Sequence, residues 1–242
     1  MAATTRDATM IIKMGGKAMP SSRIRLYSRP SGVYLEASMS PSVTLRKGDE
    51  LSVHYSDASC EHLLATVKVF SVPLVDGKVE VLATDAYRDA LKTVVSAVGW
   101  RKATVKEIAE DVLGECDVER IDLSALPSMT LPHFSYCGKS AWTVLRMLMD
   151  AAKAIDGTEL AVLPDPEGTL RFGLSDFLVE TPDYSTEYFP ADVLRFGRDH
   201  MRLHLVPLLF GQSMTYEGAK HIVSSVVHTA SADSRETDVW MQ

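Results

Sequence analysis

The chain has 242 residues, 46% of them hydrophobic and 24% charged, with 25 Lys and Arg against 32 Asp and Glu for a formal charge of −7. This composition excludes disorder as the dominant state, and the length is enough for one or two domains whose cores need no disulfide or metal staple. The negative balance supplies no net field for collecting phosphate or anionic lipid, so nucleic-acid wrapping and membrane docking lose weight, while a local basic patch stays open.

Cys60, Cys116 and Cys137 are an odd number without CxxC spacing, so neither a disulfide framework nor a zinc ribbon is encoded, and synthesis in a reducing cytoplasm fits. The first residues, MAATTRDATMIIKMGGKAM, place Asp7 ahead of Met10-Ile11-Ile12 and Lys13 directly behind it, which leaves no h-region for secretion. No apolar stretch approaches the roughly 20 residues of a membrane-spanning helix. The expectation is a soluble product without a classical export signal.

In chain order, Arg23 to Leu26 and Val33 to Ala37 alternate as half-buried strands, with Ser28-Arg29-Pro30-Ser31-Gly32 as the turn between them. The polar turn Leu45 to Glu50 precedes a strand at Leu51 to Tyr55. Leu63 to Val72 reads as a longer strand, Asp76-Gly77 as a hairpin turn, and Lys78 to Ala83 as its partner strand. From Thr84 the period becomes helical: Tyr87, Ala90, Leu91, Val94, Val95 and Val98 share a face, with Thr84 or Asp85 as cap. A second helix opens on the capping box Thr104 and Glu107, carries Val105, Ile108, Ala109, Val112 and Leu113 on one face, and stops at Gly114.

Asp117 to Pro132 is polar and proline-broken and reads as a connection. Ser140 caps a third helix in which Trp142, Leu145, Met149 and Ala152 share a face. Leu160 to Leu163 and Thr169 to Phe172 form a hairpin. Pro182 to Pro190 is an irregular aromatic crossing. Val193 to Phe196, His200 to Leu205, Gln212 to Tyr216 and His221 to His228 are short strands punctuated by Gly and Pro. The fold expected is α+β: two small antiparallel β-barrel-like domains, residues 1–98 (with a closing helix) and 178–242, joined by an α/β unit at 99–177.

Gly138-Lys139-Ser140 imitates the end of a P-loop, but His133 stands where the loop's first glycine must curl around phosphate, so a turn and helix cap is the better reading. Leu160 to Asp165 imitates a Walker-B strand, which Pro164 would spoil in a central parallel position. His200 and His204 would face one metal on a helix; on a strand they stand about 13 Å apart, too far to share an ion. His221, His228 and the pair Cys60 and His62 lack zinc-site context, leaving surface or interface histidines. Glu107, Glu110 and Asp111 have the spacing of a solvated helix face, and no GxSxG elbow exists. No catalytic, cofactor-binding or metal residue is assigned.

The stretches TVKEIAEDVL and FSYCGKSAWTVLRMLMDAAKAIDGTELAVLPDPEGTLRFG, together with LRKGDELSVHY, VKVFSVPLVDGKVEVLATDAYRDAL and the last residues from LVPLLFGQ through the V-x-x-V-x-H near His228, carry a resemblance. In order and pattern the chain resembles the baseplate hub proteins of contractile-tailed bacteriophages, of the late control protein D or Mu-like type. These are related in fold to the T4 hub and to the head of type VI secretion spikes. It departs in being short and in carrying Phe210-Gly211 where Pro-Gly is usual.

The resemblance implies a non-enzymatic structural protein of the virion. It implies a homotrimeric ring that adapts a six-fold tail tube protein to a three-fold central spike protein, with a tape-measure protein as a further candidate partner. DNA would pass through the lumen without specific binding. A spike-head component of a type VI or related contractile injection system is the alternative, and a soluble enzyme with a site assembled from distant residues is the second.

Overall fold

A computed structural model describes residues 8–29, 32–175, 186–188 and 193–241. The first third alternates apolar and polar residues, and the structure turns that period into strands β1 (Thr9–Met14), β2 (Lys17–Met19), β3 (Ser21–Arg29), β4 (Gly32–Met39), β5 (Glu50–Ser56), β6 (Glu61–Ser71), β7 (Leu74–Val75) and β8 (Lys78–Thr84). In β5, for example, Leu51, Val53 and Tyr55 are buried while Glu50, Ser52, His54 and Ser56 are not. Asp76 and Gly77 adopt φ of 48° and 73° between β7 and β8, the left-handed pair that a two-residue hairpin matching the sheet twist requires. Pro30 and Ser31 of the first expected turn lie outside the described residues; Ser28 and Arg29 belong to β3.

The middle of the chain forms α1 (Tyr87–Ala90), β9 (Val98–Thr104), α2 (Val105–Gly114), β10 (Ile121–Asp122), β11 (Thr130–Tyr136), α3 (Ala141–Asp156), β12 (Leu160–Pro164) and β13 (Leu170–Leu174). The last part forms β14 (Thr186–Tyr188), β15 (Val193–Phe196), β16 (His200–His204), β17 (Ser213–Tyr216), β18 (Ala219–Ser231) and β19 (Arg235–Met241). Residues 86–165 and 169–175 make one unit; 8–85, 166–168, 186–188 and 193–241 make the other. The described residues are mostly strand, with helices α1, α2 and α3 among them, which is the mixed α and β composition expected.

In the β-rich unit the two β segments share one 14-stranded sheet, ordered β15-β16-β19-β18-β3-β4-β8-β6-β5-β1-β2, with β7, β14 and β17 paired off this path. The join is made by β18. Its first residues pair β17, and its later ones pair β3 from Val226↔Ser28 to Ser231↔Arg23. The sheet is open and does not close on itself as a barrel. Two apolar cores form, one around Ile12, Leu26, Leu35 and Leu51, the other around Met201, Leu203, Val226 and Val239. Leu205 and Ala230 belong to the first core, so the later segment contributes to both. Of the expected crossing at Pro182 to Pro190, only β14 is described, and it pairs in parallel with β17.

The α/β unit has its own core of Val105, Ile108, Leu131, Val144, Leu145, Leu148 and Phe172. The capping box forms as the sequence predicts: the Thr104 hydroxyl accepts from the Glu107 amide while the Glu107 carboxylate accepts from the Thr104 amide, and all five expected apolar positions of α2 are buried. Ser140 caps α3, and Gly157 ends it in the left-handed conformation.

Three expectations are corrected. The helix from Thr84 to Val98 is one turn only, and neither Thr84 nor Asp85 caps it. Their side chains are taken by Val33, whose amide donates to Asp85 Oδ2 (2.7 Å) and whose carbonyl accepts from Thr84 Oγ1 (2.9 Å), and Val98 starts a strand. The supposed connection at 117–132 contains β10 and the start of β11, short pairings that a polar sequence does not signal. The buried face of α3 is Ala141, Val144, Leu145, Leu148 and Ala152; Trp142 and Met149, expected on that face, flank it half-buried and packed against the core. The strand β19 was not marked by the alternation pattern.

Between β9 and β11 the ladder skips Lys102 opposite Pro132, where Lys102 has φ of 53°. Pro132 lacks an N–H to donate, and the left-handed residue turns the strand sharply. Burial switches face across the break: Ala103 and Leu131 are buried on one side of it, Phe134 and Tyr136 on the other face beyond it.

Candidate assembly surface

Gly138 has φ of 55° in a tight turn, the exposed Lys139 lends only its carbonyl, to the Val95 amide, and Ser140 Oγ accepts from the Thr143 amide. All three residues serve the start of α3. β12 is the margin of a three-stranded sheet, antiparallel to β13, and Asp165 Oδ1 accepts from the Thr169 amide at 2.7 Å to close that hairpin.

His200 and His204 lie on one face of β16 with Arg202 between them. Arg202 donates from Nε and Nη2 to the two oxygens of Asp238 (2.8 and 3.2 Å), and His200 Nε2 lies 2.9 Å from Asp238 Oδ1. Asp238 therefore organises a cross-strand ion pair and not a metal site. Cys60 sits in the Asp57 turn, whose carboxyl is held well below its ordinary range by hydrogen bonds from Ser59, Tyr55 and Cys60. His62 stacks near Tyr55, and His221 is half-buried on β18. Glu107 caps α2 and Glu110 pairs Lys106, but Asp111 accepts from Trp100 Nε1 at 2.8 Å, so that helix face is partly a packing surface. Among the described residues no three His, Cys, Asp or Glu side chains are grouped to hold a metal. Among the described residues no helix is long and apolar enough to cross a membrane.

His228 departs from the surface role expected of it. It is fully buried, with Nε2 donating to the Leu208 carbonyl at 2.7 Å and Nδ1 3.1 Å from Thr237 Oγ1. Burial drives its pKa down to about 4. A row that residue spacing did not bring forward is Ser52, His54 and Glu61: Ser52 Oγ is 2.9 Å from His54 Nε2, and His54 Nδ1 is 2.8 Å from Glu61, which also pairs Lys13. The order imitates a nucleophile, base and acid. However, β5 lies between β1 and β6, so its amides are committed to ladders and none is left for an oxyanion hole. Burial and the Lys13 charge lower the His54 pKa. A Ser-x-His on an alternating strand is the only sequence trace of this row.

The largest feature is the sheet itself. β8 pairs β4 along one side; on the other, Leu82 to Thr84 meets the end of β6, and Lys78 and Val79 meet only the two-residue β7. Eight strands, β15-β16-β19-β18-β3-β4-β8-β7, thus run between margins that have no strand neighbour among the described residues, while the sheet also continues from β8 through β6, β5 and β1 to β2. Each margin holds large apolar side chains in solvent: Leu74 (70% exposed) and Val75 (47%) on β7, Leu194 (48%) and Phe196 (51%) on β15. Open edges with exposed apolar residues are what soluble chains ordinarily avoid or cover. On the polar face between the margins, Glu36 pairs Arg23 and accepts from Tyr27 Oη, Ser38 donates to Glu80, and Arg202 binds Asp238 and Glu236.

No protein-family model matches the sequence, and no curated protein does. Solved structures do share the fold. A tail protein from Neisseria meningitidis MC58 superposes with a TM-score of 0.74 at 11% identity, covering 97% of this chain and 96% of that one. The 43 kDa tail protein of prophage MuSo2 from Shewanella oneidensis gives 0.69 at 9% identity, with 97% and 96% covered. An Escherichia coli component of the type VI secretion system, described as similar to the T4 tail proteins gp27 and gp5, gives 0.65 at 11% identity, with 95% and 76% covered. The chain has the fold of phage tail proteins and of this secretion-system component.

Proposed function

We propose that this chain is a structural baseplate hub protein of a contractile phage tail. In this reading it forms a homotrimeric ring between the tail tube protein and the central spike protein, with a tape-measure protein as a further partner. The observation that carries it is the eight-stranded run whose two apolar margins have no strand neighbour among the described residues, in a chain of tail-protein fold. Pairing the β15 margin of one copy with the β7 margin of the next is a head-to-tail contact. Such contacts form a ring when the rotation closes, and a ring has no edge left to aggregate.

The two β segments, expected at residues 1–98 and 178–242, would then act as paired barrel-like units, two per subunit, letting a three-fold ring meet a six-fold tube. The unit at 99–177 would sit apart from that task. If the polar face of the sheet lines the channel, Arg23 and Arg202 are already engaged by carboxylates, which favours DNA passage over DNA capture. A particle reconstruction tests the reading: three copies around the central axis at the tube end of the spike are expected, and placement in sheath, fibres or outer wedges overturns it. The likeness to the type VI component favours one second reading, a spike head of a contractile injection system. Isolation with effector secretion machinery instead of a virion would select it.

A further inference from the structure

The strands β9 (VGWRKAT) and β11 (TLPHFSY) contain no acidic residue, in a chain whose formal charge is −7. Among the described residues they pair only with each other, so the outer edge of each has no sheet neighbour there. Register places Arg101 opposite His133 and Gly99 opposite Ser135 on one face, and all four are exposed. Lys102 and Pro132, at the break in the ladder, are exposed as well. Arg101 faces His133, and neither strand carries a carboxylate opposite them.

The acidic groups of the adjoining helix α2 do not relieve this: Glu107 is bound in the capping box, Glu110 pairs Lys106, and Asp111 is held by the Trp100 indole. On the opposite face Val98 is 40% exposed beside the ring cluster of Trp100, Phe134 and Tyr136. The arrangement is a short sheet with basic side chains exposed on one face, while its other face packs Phe134 and Tyr136 into the core beside Asp111 and Glu115 and leaves Val98 at the rim.

We propose that the β9–β11 sheet is a docking site for an acidic extended segment of another polypeptide, added to it as a further strand. Strand addition sends alternate side chains to opposite faces, so a segment alternating acidic and apolar residues meets Arg101 and His133 with its carboxylates and Val98 and Trp100 with its apolar side chains. Unpaired edges offer alternating main-chain donors and acceptors at strand spacing, which a polypeptide strand matches in register. Three basic side chains are too few for a phosphate backbone, whose binding grows with each phosphate neutralised. The site lies outside the ring margins, and the inference does not depend on the ring.

The test is a titration of the purified chain with a fluorescently labelled short peptide of alternating Glu and Val, read by anisotropy, against a Lys and Val peptide of equal length. Saturable binding of the acidic peptide alone is expected, weakened at least about tenfold by Arg101→Glu with Lys102→Glu. The milder Arg101→Ala with Lys102→Ala, checked for an unchanged melting temperature, should weaken it in the same direction. No saturable binding, equal binding by the variants, or displacement by short duplex DNA at equal or lower concentration each overturns the proposal. Loss of binding in a variant that melts normally separates recognition from misfolding.

Discussion

His228 shows how one buried side chain sets a pH response. Its pKa is about 4 in the fold against an ordinary 6.5, so the unfolded chain binds the proton first, and stability is whole above pH 6.5 and falls as pH drops toward 4. The slope approaches about 1.4 kcal/mol per pH unit, for a total of roughly 3 kcal/mol. Urea midpoints measured across that window should fall accordingly, and His228→Gln, which can still donate to the Leu208 carbonyl, should flatten this part of the profile; an unchanged slope would assign it to carboxylates. Gly32 is a second such position. Its φ is 110°, and an added Cβ would lie 2.2 Å from Asp85 Oδ2, the acceptor of the Val33 amide. Gly32→Ala should cost about 1–3 kcal/mol in strain alone, with further loss if Asp85 is displaced, measurable as a lowered melting temperature.

At the scale of elements, α3 separates residues that matter for packing from those that only look as though they do. Leu148 is fully buried between α3 and its neighbours, and Leu148→Ala should cost about 2–5 kcal/mol in thermal or urea unfolding. Half-buried Trp142 should cost less than Leu148 when cut to Ala, since part of its surface is already in solvent. At the start of the same helix, Ser140→Ala should lose about 1 kcal/mol by freeing the Thr143 amide, whereas Lys139→Ala should stay within about 0.5 kcal/mol and change no nucleotide binding. Saturable ATP binding abolished by Lys139→Ala would contradict the cap assignment.

For the whole molecule, the margins are where folding and assembly part. Leu74 and Phe196 are more than half exposed, so Leu74→Lys with Phe196→Lys should leave the melting temperature of the isolated chain nearly unchanged. The same change should prevent ring formation and incorporation into particles, scored by electron microscopy and by the protein content of purified tails. Normal rings from this variant would remove the margins from the interface.

Local chemistry was legible in the sequence wherever a few neighbouring residues decide it. The capping box at Thr104 and Glu107, the Asp76-Gly77 hairpin, the Ser140 cap and the alternation of β3 to β6 and β8 all depend on contacts within a turn or on a two-residue period. Resemblance carried the tail-protein fold without any catalytic motif to anchor it. Tertiary structure decided the rest because the deciding partners are distant in sequence. Asp85 is taken from its helix by Val33, Asp111 binds Trp100, and His228 goes inside because Leu208 and Thr237 satisfy both ring nitrogens. The join of β18 to β3, nearly 200 residues apart, makes one open sheet of two β segments, and no periodicity along a chain encodes which strand lies beside which.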